Sequence, residues 1–148
     1  MTPVDVWTFR REIQSDTSIG SGLVNDLVDE MTRREWPATD LFRTQLAFEE
    51  AIVNAIRHGN RADVDKKVMV EMTCGQDELV ITITDEGQGF DPSTIPDPRQ
   101  EELLEVPGGR GVLLITEIMD EVRFNERGNQ ITMVKHRSSE EPSDEDDD

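Results

Sequence analysis

Two alternating runs organise the middle of the chain. Val68, Val70, Met72 and Cys74 fall on one face of a strand, and Leu79, Ile81 and Ile83 on one face of the next. Gly75-Gln76-Asp77 between them predicts a hairpin turn. Upstream, residues 3–13 (PVDVWTFRREI) are rich in strand formers and roughly alternate, which predicts an opening strand. Leu23, Val24, Leu27, Val28 and Met31 then recur at helical spacing, in a helix expected to be ended by Pro37. A second helix is predicted from Thr39 or Asp40 as N-cap to the His58-Gly59-Asn60 stop, with Leu41, Phe48, Ile52, Ala55 and Ile56 as its apolar stripe.

After residue 85 the periodicity lapses. Residues 85–111 hold five glycines and four prolines, and a loop of that length inside a compact domain is usually functional. Residues 112–119 (VLLITEIM) fit a buried helix, and residues 121–125 and 130–136 read as closing strands around Arg127-Gly128-Asn129. The order is therefore β-α-α-β-β-loop-α-β-β. Short turns between paired strands imply an α+β two-layer sandwich, a mixed, mostly antiparallel sheet with helices on one face. A doubly wound parallel sheet would require strand–helix alternation, which is missing.

Length and charge narrow the chemistry. At 148 residues the chain suits one domain with a sizeable core. Its net charge is −18, and the final stretch 138–148 (SSEEPSDEDDD) carries seven of the acids. That tail is expected to be disordered, which leaves 1–137 as the domain. The body is acidic even without it, which argues against direct binding of nucleic acid or an anionic membrane. A single cysteine, Cys74, excludes an intrachain disulfide. The opening MTPVDVWTFRRE has no apolar leader segment, and no run approaches the roughly 18 apolar residues of a membrane span. A cytoplasmic protein is expected.

Several motif classes drop out. There is no P-loop, no zinc-spaced Cys/His cluster and no serine-hydrolase elbow. Gly87-Gln88-Gly89 runs into Phe-Asp-Pro and does not complete a dinucleotide fingerprint.

Three segments remain, each with an ordinary explanation beside a functional one. Glu50, Asn54 and His58 recur every four residues, a polar stripe that could be a solvated face. Asn54, however, interrupts the core-like run AIVNAI, and an amide oxygen beside a carboxylate suits Mg²⁺. His58, near the helix end, fits a capping role better than a ligand. Asp85 continues by parity the face of Leu79, Ile81 and Ile83, where a carboxylate needs donors, and an adenine amino group is one such donor. Gly87 and Gly89 would let backbone approach a flat base, although Asp-Glu-Gly also makes a plain turn. Gly109-Arg110-Gly111 runs into the third helix, an N-terminus that can cradle phosphate or simply end a flexible loop. In this order, all three segments would converge between the helix layer and one sheet face.

These segments resemble a family. FEEAIVNAIRHGN looks like the N box, TDEGQGF like the first glycine box and GGRG-VLLI like the second, of the GHKL ATPases with their Bergerat sandwich. The short form with E-A-x-x-N-A-x-x-H-G resembles the bacterial anti-sigma-factor serine/threonine kinases, over nearly the whole chain to about residue 136. The resemblance implies ATP and Mg²⁺ as cofactors. It implies Glu50 as the base or polariser of the attacking hydroxyl, Asn54 as the Mg²⁺ ligand and Asp85 as the reader of adenine N6. Gly87 and Gly89 would shape the base pocket, Gly109, Arg110 and Gly111 would wrap the phosphates, and residues 91–107 would form an ATP lid. The implied partners are a sigma factor, a STAS-domain anti-anti-sigma substrate and a second copy of the chain. Glu49 also precedes the motif, but only Glu50 is in phase with Asn54. Many relatives carry Gly-Thr where this chain has Gly128-Asn129, and the asparagine can also donate and accept in the adenine network. The alternative is a nucleotide-gated binding switch without phosphoryl transfer.

Overall fold

The computed structural model describes residues 6–61, 63, 65–87 and 109–138. Five strands form one sheet in the order β1-β2-β3-β5-β4. They are β1 (Trp7–Gln14), β2 (Lys67–Cys74), β3 (Glu78–Asp85), β4 (Glu121–Phe124) and β5 (Gln130–His136). Every ladder among the described residues is antiparallel, so mixed pairing is not used there. Three α-helices complete the described residues: α1 (Thr17–Arg33), α2 (Ala38–Val53) and α3 (Gly109–Ile118).

The alternation of β2 and β3 places their apolar residues on the helix-facing side. Val68, Val70, Met72, Cys74, Leu79, Ile81 and Ile83 are all at most 1% exposed. From the helices, Leu23, Leu27, Met31, Phe48, Ile52 and Ile115 close the same core. At about 25 cal/mol per Å² of apolar surface, this shared layer is the main stabilising term. The close approach of α1 to α2 requires Gly20, because a Cβ there would overlap the Ile52 side chain. The opposite sheet face is open and rich in threonine, with Thr82 and Thr132 in hydroxyl contact at 3.4 Å. A shallow groove of about 470 Å³ on that face is lined by Thr8, Arg10, Glu71, Thr73, Val80 and Thr82.

Helix boundaries depart from expectation at three points. Asp16 caps α1 by accepting from the Ser18 amide at 2.9 Å. The helix ends at Arg33, ahead of Pro37, because Glu35 turns left-handed at φ 60°. Arg137 secures that turn by donating to the Arg34 and Glu35 carbonyls. Pro37 instead starts α2, so neither Thr39 nor Asp40 is its N-cap. Asp40 is 1% exposed and meets the Lys135 ammonium at 3.5 Å and the Ser138 amide at 2.9 Å. The third departure is at the other end of α2. Its α-helical winding stops at Val53 and a π-helical turn, Asn54–Gly59, takes over.

Candidate nucleotide site

The π-turn is the structural basis of the site. The Asn60 amide bonds the Ala55 carbonyl at 2.8 Å, an i→i+5 link that widens the last turn. Such π-turns are common at functional sites. Glu50 and Asn54 remain one α-turn apart, since the Asn54 amide still bonds the Glu50 carbonyl. Both side chains are half-buried, and neither hydrogen-bonds a described residue. The wider winding takes His58 out of the stripe predicted for it. It is exposed, and its ring bonds no described residue.

The far end of the same turn meets β3. Gly59 packs on the Asp85 carboxylate so closely that a Cβ would overlap it. Gly87 packs equally closely on the Gly59 carbonyl and donates its amide to Asp85 Oδ1 at 2.8 Å. One π-turn therefore carries Asn54 at its start and holds Asp85 at its end. Gly87 was expected to make room for a base. The protein's own backbone also requires a glycine there, because a Cβ would overlap the Gly59 carbonyl.

Further residues hold Asp85 from the other side. Its backbone exchanges hydrogen bonds with Asn129, amide to carbonyl at 2.9 Å and carbonyl to the Asn129 side chain at 2.8 Å. Asn129 Oδ1 accepts from Asn125. Each end of the Asn129 amide thus makes a bond within the protein, so the residue supports the backbone at Asp85. Arg127 reaches across from the same turn to donate to the Gly87 carbonyl at 2.9 Å. Burial pushes the Asp85 carboxyl above its usual value of 3.8, opposed by the Gly87 N–H and the charges of Arg127 and Lys66. A half-buried carboxylate with one oxygen bonded to Gly87 can accept a further donor such as an exocyclic amine.

Gly109, Arg110 and Gly111 open α3, which packs against α2. Gly89 and the span 91–107 lie outside the described residues. Among the described residues no group of three or more His, Cys, Asp or Glu side chains could hold a metal ion. A cation at Asn54 would have the side-chain amide oxygen as a protein ligand beside phosphate and water. That is the usual arrangement for Mg²⁺, so Asn54 fits the role.

Sequence reasoning missed Asn60, Arg127 and the packing role of Gly59. Asn60 and Gly59 were legible only as a helix stop. Their contacts to β2, β3 and the residues just after β3 connect positions 7 to 28 apart, which no local pattern signals.

Comparison with known proteins identifies the family. Residues 18–135 match the histidine kinase-like ATPase domain. Serine-protein kinase RsbW of Oceanobacillus iheyensis is 31% identical over 112 residues, covering 70% of each chain. The Bacillus subtilis protein of that name is 32% identical over 106 residues, covering 65% of this chain and 64% of its own. The crystal structure of the RsbU and RsbW domains of a Mycobacterium tuberculosis protein matches with a TM-score of 0.59 at 13% identity. That match covers 88% of this chain and 32% of the other, and it supports the fold alone. The chain belongs to the ATP-binding histidine kinase-like family, among its protein serine/threonine kinases.

Proposed function

We propose that this protein is a cytoplasmic anti-sigma-factor kinase that transfers the γ-phosphoryl of ATP to a serine or threonine of a STAS-domain antagonist. The observation that carries this reading is the π-turn, with Asn54 at one end and the Asp85 carboxylate seated on Gly59 at the other. In this reading residues 1–137 act as the ATPase domain and 138–148 as an acidic appendage.

Asp85 accepts from the adenine amino group, with Gly87 and Gly89 shaping the base pocket. Gly109, Arg110 and Gly111 meet the phosphates at the positive end of α3. Asn54 would hold Mg²⁺, which when bound would neutralise phosphate charge. Glu50 orients the substrate hydroxyl and takes its proton as the new P–O bond forms and ADP leaves. Such transfer is largely positioning and charge stabilisation. A homodimer sequesters the sigma factor, and phosphorylation of the antagonist leaves that complex undisturbed. A nucleotide-gated switch without transfer would have no use for Glu50.

The test uses purified chain, Mg·ATP and a STAS-domain protein. Glu50→Ala retains ATP binding and loses about 10²–10³ in phosphorylation rate. Asn54→Ala loses the Mg²⁺-dependent part of binding. Full transfer by Glu50→Ala refutes the assignment.

A further inference from the structure

Asn60 is fully buried, with 0% exposure, and it lies just outside the π-turn. Its side-chain amide joins three parts of the chain. Nδ2 donates to the Ser15 hydroxyl at the end of β1 and to the Lys67 carbonyl at the start of β2, each at 3.0 Å. Oδ1 accepts from the Glu86 amide at the exit of β3, at 2.8 Å.

The position of that amide in the sheet is informative. Val68 and Asp85 are the last paired residues of β2 and β3, so the register would pair Lys67 with Glu86 next. Asn60 intervenes there. It accepts the Glu86 N–H and donates to the Lys67 C=O, as a peptide group of a neighbouring strand would. The remaining Lys67 amide turns to Glu86 Oε1 at 2.9 Å. One side chain therefore ends the β2–β3 ladder and sets where the chain leaves β3. Asp85 and Gly87 sit at that departure. The same residue terminates the π-turn through its own amide, fixing Gly59 against the Asp85 carboxylate.

We infer that Asn60 is a positioning residue for nucleobase discrimination, setting the fit between the π-turn and Asp85 without touching the nucleotide itself. This rests on the proposed reading of Asp85 as the adenine acceptor. Losing the inserted amide lets the β3 exit close toward Lys67, and the carboxylate then no longer lines up with an exocyclic amine.

The experiment measures affinities of the full chain for ATP and for inosine triphosphate, which carries a carbonyl in place of the adenine amine. The wild-type chain should prefer ATP by about 100-fold or more, because the analogue leaves a half-buried carboxylate facing an oxygen. Asn60→Asp keeps an acceptor for Glu86 but places a carboxylate oxygen against the Lys67 carbonyl, and the preference should fall at least about tenfold. Ser15→Ala removes the hydroxyl that accepts from Asn60 and donates to the Lys66 carbonyl; it should lower the preference by about threefold, which keeps the test open if Asn60→Asp does not fold. Leu27→Ala, a core change in α1, should lower stability while keeping the preference. A discriminating wild type whose Asn60→Asp or folded Ser15→Ala variant keeps the full preference overturns the role of Asn60 alone. A wild type that binds ATP and inosine triphosphate equally overturns the adenine-reading role of Asp85 and the inference with it.

Discussion

Substituting Gly59 should separate nucleotide binding from folding. A Cβ at this position would overlap Asp85 Oδ2 and Cγ and lie 2.8 Å from Oδ1. The backbone does not itself require glycine here, since among the described glycines only Gly128, at φ 79°, has a positive φ. The whole cost of Gly59→Ala therefore falls on one movable side chain. Asp85 must rotate away and give up the hydrogen bond from Gly87. That loss is offset in two ways. The carboxylate escapes the burial that penalises its charge, and alanine gains up to about 1 kcal/mol over glycine in helical backbone. The net change in stability should stay within about 1 kcal/mol. Binding has no such offset. A hydrogen bond to a charged group contributes about 1.5–3 kcal/mol, so ATP affinity should fall about 10- to 150-fold. Urea unfolding and calorimetric ATP titration on one preparation read both quantities. Gly87→Ala is the contrasting case, because its Cβ overlaps the Gly59 carbonyl and sets backbone against backbone. It should cost about 1–3 kcal/mol of stability as an overpacked site. Wild-type ATP affinity in Gly59→Ala would show that the carboxylate position held by Gly59 does not matter for the base.

Two further perturbations address charge. Because burial raises the Asp85 carboxyl above 3.8, ATP affinity should decline on acidification at a higher pH than an ordinary aspartate would give, and affinity flat across that range would refute the role. The same shift penalises the folded state once the group is ionised; the penalty is absent below the unfolded value of 3.8 and complete above the raised folded value. Asp85→Asn should therefore be at least as stable as wild type at neutral pH, lose that gain in acid and bind ATP weakly; a destabilised variant at neutral pH would contradict the burial argument. Elsewhere, Asp40→Ala leaves the Lys135 ammonium, 6% exposed, with Asp120 at 3.8 Å as its remaining acid partner. Stability should drop by about 3–5 kcal/mol in urea unfolding, and an unchanged midpoint would show that the buried pair is dispensable.

The difference between what was legible in the sequence and what was not follows from the range of the interactions. Strands β2 and β3 were readable because alternation of Val68, Val70, Met72, Leu79, Ile81 and Ile83 is a local consequence of burying one sheet face. The pairing of Glu50 with Asn54 was readable for the same reason, as a four-residue period within one helix. Asp40 was misread because an aspartate near a helix start looks like a cap, while its actual partners, Lys135 and Ser138, lie almost a hundred residues away. The π-turn was missed for a related reason. Helical propensity continues through AIRH up to the predicted stop, and the winding changes because Asn60 is held by Ser15, Lys67 and Glu86. Glycines show the distinction most clearly. The sequence reads Gly59 as a helix stop and Gly87 as room for a ligand, and the two also pack on one another and on Asp85. Each glycine is needed because of the other, so neither residue alone could reveal its role. The Asp85 carboxylate, proposed to read the base, is thus set by contacts among residues 59, 60 and 87, and the motif letters record only their outcome.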